Sequence, residues 1–126
     1  MATVRVAALQ MRSGQDQRRN AADFEALARE AAAKGAAYVQ SPEMTGALMR
    51  DKAALKASLK PEAEDAIALL AARLAAELGI VVHVGSTAIA RPDGKVANRG
   101  LVFGPDGAKI ASYDKIHMFD VDLDNG

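Results

Sequence analysis

The chain lacks several residue types, and each absence excludes a class of function. None of its 126 residues is a cysteine, so the chain itself offers no disulfide, thiol nucleophile or cysteine metal site. Its 16 basic and 16 acidic residues cancel, so net charge gives no reason to expect nucleic acid or an anionic membrane as a partner. The longest nearly uncharged stretch, Gly79 to Ala90, is far shorter than the ~20 residues that span a bilayer.

What remains is the composition of a globular protein. The residues are 50% apolar and 25% charged, which disfavours wholesale disorder. A chain of this length predicts one domain, large enough to bury a core without disulfides. The stretch Met1 to Met11 has Arg5 among alternating apolar residues. It lacks the charged segment followed by a hydrophobic segment that is typical of a signal peptide, so we expect a cytoplasmic location.

Helical spacing of apolar residues predicts two long helices. They span about Gln17 to Lys34 and Pro61 to Leu78, and each is followed by a glycine that suits a helix end. The proline at the start of the second is tolerated in a first helical turn. A shorter helix is predicted near Lys52 to Leu59.

Short apolar runs rich in β-branched residues lie between the helices and predict strands. These runs are Thr3 to Met11, Ala36 to Gln40 and Ile80 to Thr87. They are apolar on both faces, as is typical of inner strands covered by helices.

The last third of the chain has a different pattern. The turn sequences Pro92-Asp93-Gly94 and Gly104-Pro105-Asp106-Gly107 flank and separate two predicted hairpin strands, Lys95 to Phe103 and Ala108 to Tyr113. The predicted order is therefore β-α-β-α-β followed by a β meander, in one α/β domain without a visible linker.

Glu43 is the first candidate for chemistry. Ligands of open α/β sheets bind beyond the carboxyl ends of strands, and Glu43 follows the strand that ends near Gln40. Partial desolvation there would raise the pKa of the carboxyl towards the range useful for a general base. The alternative is a solvated glutamate at a strand end. The loop Met44 to Met49 and the pair Met118-Phe119 could line one wall of a small pocket.

Lys115 is the second candidate. It follows a predicted strand and is flanked by aromatic and apolar residues, which would direct its ammonium into a protected cleft where it could stabilise an oxyanion. The alternative is a surface lysine paired with Asp114 or Asp120.

Together the two segments resemble a known family. Ser41-Pro42-Glu43 and the run Tyr113-Asp114-Lys115-Ile116-His117-Met118-Phe119-Asp120 look like motifs of the nitrilase superfamily of carbon–nitrogen hydrolases. Supporting marks are Ala8-Leu9-Gln10, Gly85-Ser86 at the end of the third strand, and Asn98 ahead of the Gly104 turn. The resemblance extends over the whole chain and is strongest to the amidase branch that includes omega-amidases.

This resemblance implies a fold and a mechanism. The fold is a four-layer α-β-β-α sandwich, of which this chain would form the N-terminal half. By resemblance, Glu43 is the general base, Lys115 stabilises the tetrahedral intermediate, and a cysteine attacks the amide carbon. A small-molecule amide is the implied substrate, no cofactor or metal is implied, and a homodimer or higher oligomer is expected.

The missing cysteine is the one departure from the family pattern. In the family it lies beyond the point that corresponds to Gly126, and family members are considerably longer. We therefore expect residues 1–126 to be a single partial domain whose C-terminal half is absent. Loss of a nucleophile can lower a rate by on the order of 10⁶, so the chain alone is expected to be inactive.

Other interpretations are weaker. Asp120 to Gly126 imitates the start of a calcium loop, but its glycine comes one residue late. His83 and His117 belong to no metal-ligand spacing. His83 is expected to be a core or sheet-edge histidine, and His117 is expected either to pack or to orient neighbours of Lys115. A nucleotide-binding fold is disfavoured, because the turn after the first predicted strand lacks the glycine-rich loop that binds phosphate. The remaining alternative is a non-catalytic or split half that folds against a complementary half and acts as an interaction module.

Overall fold

The computed structural model describes residues 3–46 and 52–115, with only the backbone described at residue 52. These ranges contain one five-stranded sheet and three α-helices. In chain order the elements are β1 (Val6–Ala8), α1 (Gln17–Ala33), β2 (Tyr38–Gln40), α2 (Lys52–Ser58), a 3-10 turn (Glu62–Glu64), α3 (Ala66–Leu78), β3 (Val81–Ala90), β4 (Val96–Phe103) and β5 (Lys109–Asp114).

The sheet is mixed, with its strands in sequential order from β1 to β5. β1, β2 and β3 are parallel, whereas β4 and β5 continue the sheet as antiparallel strands. This arrangement confirms the predicted β-α-β-α-β order followed by a meander. Within the described residues, the strand order shows no reversal of the kind at which doubly wound nucleotide-binding folds hold their ligands.

The core lies between the sheet and two of the helices. α1 packs on α3, and α3 packs on β3. The central side chains come from both helices and from the inner strands: Phe24, Leu74, Val39, Val82, Val84 and Leu101. Right-handed crossovers that advance in one direction across a sheet place their helices on the same face, which accounts for a single core.

The opposite face of the sheet differs from the expectation of strands covered by helices. Val6 is 63% exposed, and Tyr38 and His83 are only half-buried. The apolar pattern on this second face therefore does not reflect helical cover within the described residues, because α1 and α3 both lie on the first face.

The predicted ranges of the first and third strands are wrong. The first strand was expected over Thr3 to Met11, but its ladder with β2 is only three residues long. The third was expected to end at Thr87, but its ladder with β4 continues to Ala90. Gly85-Ser86 therefore lies at a shift in register inside β3, between Val84 and Thr87, and not at the end of the strand.

The second long helix begins later than Pro61. Its N-cap is Asp65, whose side chain accepts a hydrogen bond from the Ala68 N–H at 2.9 Å. Pro61 instead precedes the 3-10 turn, and the helix ends at Gly79 in a left-handed conformation. The other two helices match their predicted ranges to within one residue at either end.

Within residues 3–46 and 52–115, no helix has the length and apolar character needed to cross a membrane.

Candidate functional site

The structure brings the two predicted site residues together. Glu43 follows β2 and Lys115 follows β5, although β3 and β4 lie between these strands. Lys115 Nζ is 3.6 Å from Glu43 Oε2, an ion pair slightly longer than a hydrogen bond. The Lys115 side chain is 27% exposed and that of Glu43 is 68% exposed, so the cation is the better protected of the two.

The loop that presents Glu43 is fixed by hydrogen bonds at its base. The Ser41 N–H donates to the His83 carbonyl oxygen at 2.9 Å, and the Gly85 N–H donates to the Ser41 carbonyl oxygen at 3.1 Å. The Ser41 hydroxyl, which is buried, is 2.8 Å from the hydroxyl of Thr45. The chain therefore stays in register with β3 for one residue beyond β2 before it turns to Glu43.

Ser86 holds the far side of the same loop. Its hydroxyl accepts a hydrogen bond from the Met44 N–H at 3.0 Å, and its carbonyl oxygen accepts one from the Thr45 N–H at 2.9 Å. Met44 has a φ of 51°, an uncommon value for a residue other than glycine. Backbone strain of this kind persists only where the surroundings fix it, and here Ser86 supplies the fixing contacts.

Gly85 is required by the close approach of this loop. A Cβ at position 85 would overlap the carbonyl oxygen of Ser41 and the carbonyl group of Pro42. Both obstacles are backbone atoms, which cannot move aside as a flexible side chain can. A glycine at this position therefore permits the loop to lie against β3.

Lys115 is held at the end of β5 by its backbone. Its N–H donates to the Asn98 carbonyl oxygen at 2.9 Å, which extends the β4–β5 ladder by one residue. Asn98 is buried, and its side-chain oxygen has no hydrogen-bond partner among the described residues.

A network of charged side chains joins β5 to the rest of the fold. Arg99 forms a two-pronged contact with Asp114, with distances of 2.6 Å from Nε and 3.1 Å from Nη2. Arg99 Nη1 also donates to Glu62 at 3.0 Å, and Lys109 donates to the other oxygen of Glu62 at 2.7 Å. We call these four residues the Arg99 network.

The expected rise in the pKa of Glu43 is wrong. A hydrogen bond from its own backbone N–H, followed by the positive charge of Lys115, holds the pKa of Glu43 below its ordinary value. Desolvation opposes these effects weakly because the carboxylate is exposed. Glu43 is therefore ionised at neutral pH, which is the form that a base needs.

The Arg99 network gives a prediction for stability at acid pH. The hydrogen bond from Arg99 lowers the pKa of Asp114. Burial opposes ionisation of Glu62, but hydrogen bonds from Lys109 and Arg99 outweigh it and lower the pKa of this carboxyl as well. A carboxyl whose pKa is lower in the folded state stabilises the fold above its unfolded pKa, and this contribution is lost as the pH falls through the folded value.

We therefore expect the free energy of unfolding to decrease as the pH falls below about 5. The double variant Glu62→Gln/Asp114→Asn should show a shallower decrease, measured by urea unfolding at a series of pH values. An acid-side slope equal to that of the unaltered chain would contradict this prediction. Asp65 has the opposite effect on the pH dependence of stability in both proteins. Burial raises its pKa, so its contribution to the free energy of unfolding increases as the pH falls.

Sequence reasoning missed the Arg99 network. The sequence feature that could have revealed it was the hairpin turn Gly104-Pro105-Asp106-Gly107. Such a turn places residues before and after it opposite each other on adjacent strands. Arg99 and Asp114 are register partners in this hairpin. A shift in register between Val102 and Phe103 makes the pairing hard to count from the turn alone.

The remaining sequence candidates are placed as follows. His83 is half-buried, shares a hydrogen bond with the Tyr38 hydroxyl, and has its pKa lowered by burial, in agreement with a packing role. Outside the described residues lie His117, Met118-Phe119, the calcium-like run Asp120 to Gly126, and half of the loop Met44 to Met49, residues 47–49. Residues 3–46 and 52–115 contain no group of three or more acidic or histidine side chains that could hold a metal ion.

Comparison of the sequence with known proteins gives consistent matches. A sequence model of the family described as carbon-nitrogen hydrolase matches residues 5–126. Omega-amidase NIT2 of Pongo abelii is 32% identical over 123 residues, which cover 98% of this chain and 44% of the relative. Omega-amidase NIT2 of Xenopus tropicalis is 35% identical over 97 residues, or 77% of this chain and 34% of the relative. The chain thus spans less than half the length of these relatives.

Solved structures show the same fold. An amidase mutant from Nesterenkonia sp. AN1, whose active-site cysteine carries the result of Michael addition of acrylamide, superposes with a TM-score of 0.79. It is 20% identical, and the match covers 93% of this chain and 46% of that one. An N-terminal amidase with a Gln-Gly peptide gives a TM-score of 0.78 at 16% identity, covering 95% of this chain and 29% of that one.

Proposed function

Because the chain belongs to the carbon-nitrogen hydrolase family, we propose that Glu43 and Lys115 are two members of a Glu–Lys–Cys site that hydrolyses small amides to an acid and ammonia. The observation that supports this most strongly is the 3.6 Å contact between the Lys115 ammonium and the Glu43 carboxylate, formed by residues 72 positions apart (115 minus 43). A conformationally fixed loop and a strand end present the two groups to each other.

In this proposal the two groups have complementary roles. A thiol with a pKa of ~8.5 is only a few per cent ionised at neutral pH, so its attack requires a base. The ionised Glu43 accepts the thiol proton as sulfur bonds to the amide carbon, and Lys115 stabilises the oxyanion that forms. Glu43 then gives the proton to the departing ammonia. Glu43 then takes a proton from a water molecule, whose oxygen bonds to the thioester carbon. The carbon–sulfur bond breaks, the acid is released, and Glu43 returns the proton to the cysteine sulfur.

The cysteine of this site comes from residues outside the chain. The chain contains none, and it spans 44% of one omega-amidase relative and 46% of an amidase that has an active-site cysteine. Residues 1–126 are then one partial hydrolase domain. We call the protein in which this chain continues beyond Gly126 and supplies that cysteine the extended protein. A cytoplasmic location, a homo-oligomeric assembly and the absence of a cofactor are part of the same proposal.

Ammonia release tests the proposal. The 126-residue chain and the extended protein are incubated separately with a panel of small primary amides. We expect no ammonia from the chain, ammonia from the extended protein, and loss of that activity after treatment with iodoacetamide, which alkylates thiolates. Hydrolysis that survives complete alkylation would contradict a cysteine mechanism.

A second candidate function is that of a non-catalytic half that binds a complementary half. The observation in its favour is the incompletely covered face of the sheet, where Val6 is 63% exposed and Tyr113 is 55% exposed. An apolar sheet face without a partner predicts self-association and dye binding. Size-exclusion chromatography with a hydrophobic dye tests this candidate, and a compact monomer that binds no dye would count against it.

A further inference from the structure

β5, the strand that precedes Lys115, has no buried apolar side chain among the described residues. All six of its residues are exposed, and Ile110 is 63% and Tyr113 is 55% exposed. Burial of side chains therefore contributes little to its position. Among the described residues, what holds β5 is its hydrogen-bonded ladder with β4 and the ion pairs made by its side chains.

These ion pairs are made by the first and last residues of β5. Lys109 begins the strand and bonds to Glu62, and Asp114 ends it and bonds to Arg99. Arg99 and Glu62 also bond to each other. Glu62 belongs to the 3-10 turn ahead of α3, so the network fastens both ends of an exposed strand to the helical layer.

The contact between Arg99 and Asp114 is the most directional in this network. A guanidinium that meets a carboxylate through two parallel hydrogen bonds fixes orientation as well as distance, which a lysine cannot do. The Arg99 side chain is only 23% exposed, and the Glu62 carboxylate holds its third nitrogen. The Asp114 carboxylate is thereby fixed against β4.

Lys115 follows Asp114 directly and is also held against β4. Its N–H bonds to the carbonyl oxygen of Asn98, the residue that precedes Arg99. Adjacent residues of an extended chain point to opposite faces, so a fixed Asp114 side chain directs Lys115 to the other face of the sheet. On that side its ammonium lies 3.6 Å from Glu43.

We propose that Arg99 is a positioning residue that, by holding Asp114, directs the Lys115 ammonium towards Glu43. This inference rests on the proposed function, because it assigns to Arg99 the alignment of a group in the proposed site. It goes beyond a stabilising role for the ion pair, since a stabilising pair would leave the contact between Lys115 and Glu43 unchanged.

The pKa of Glu43 reports on this contact, because Lys115 lowers it only while it is close. The experiment is an NMR titration of the Glu43 side-chain carboxyl carbon in the 126-residue chain and in the variants Arg99→Lys and Asp114→Asn. We expect an upward shift of the Glu43 pKa in both variants. If charge alone acted, the Glu43 pKa would rise in neither variant. Arg99→Lys keeps the charge, and removal of the Asp114 charge would lower the pKa of Glu43.

Arg29→Lys is the matched control. Arg29 also makes paired contacts with carboxylates, those of Glu77 and Glu25, but on α1, away from the site. The Arg29→Lys variant should lose the paired contacts with these carboxylates and leave the Glu43 pKa unchanged. Urea unfolding of all variants measures the loss of stability separately.

The proposal would be overturned if Arg99→Lys left the Glu43 pKa unchanged and Asp114→Asn left it unchanged or lowered it. A loss of stability alone would then assign the pair a structural role. Failure of the proposed function is distinguishable, since the titration requires no catalysis: a shifted pKa together with an extended protein that hydrolyses no amide would retain the positioning role and reject the hydrolase.

Discussion

Replacement of Glu43 by glutamine in the extended protein should lower kcat for amide hydrolysis by about 100-fold or more, the usual contribution of a general base. Glutamine keeps the size of the side chain but cannot accept the thiol proton. The fold should survive, because the Glu43 side chain is 68% exposed and the loop is held by the backbone and by buried hydroxyl groups. Steady-state ammonia release gives kcat, and circular dichroism checks the fold.

Glu30→Gln is the matched control for this variant. Glu30 is also an exposed glutamate paired with a lysine, Lys34, at 3.0 Å, but it lies on α1. Its replacement should leave kcat unchanged. Near-normal kcat in Glu43→Gln would show that Glu43 is not the base, whatever the effect of the control.

The largest expected effect on stability is that of Gly85→Ala. The added methyl group would overlap backbone atoms of Ser41 and Pro42, so β3 and the loop must separate. We expect the free energy of unfolding to fall by about 3 kcal/mol, the upper part of the usual range for overpacking. Urea unfolding followed by circular dichroism measures this loss.

Gly14→Ala is the control for the glycine replacement. A Cβ at position 14 meets no atom within 4 Å, and Gly14 is not among the glycines with positive φ. Its replacement should leave stability unchanged or raise it by up to about 1 kcal/mol, because alanine restricts the unfolded chain. Equal stabilities of the two alanine variants would contradict the role assigned to Gly85.

Local signals predicted the order of elements well. Gly79 ends α3 as expected, the Asp93-Gly94 turn lies between β3 and β4, and the Asp106-Gly107 turn lies between β4 and β5. Strand lengths were predicted less well because a ladder requires two strands, and the sequence of one does not reveal the extent of the other. β1 is short because it pairs with only three residues of β2.

In the candidate site, too, some features were predictable from the sequence and others were not. Glu43 and Lys115 were found from their positions after strands and from motif resemblance, and the structure brings them within 3.6 Å. The direction of the Glu43 pKa shift was not predictable, because it depends on exposure and on a backbone hydrogen bond. The role of Asp114 was also missed, since its partner Arg99 is set by a hairpin whose register shifts near Phe103.

In the proposed site, Lys115 acts in amide hydrolysis together with Glu43. The most direct test compares ammonia release from small primary amides by the extended protein and by its Lys115→Met variant, at saturating amide. Methionine keeps most of the length of lysine and removes the charge that stabilises the oxyanion. We expect kcat to be lower in the variant by about 100-fold or more. Equal turnover by the two proteins would contradict this role of Lys115.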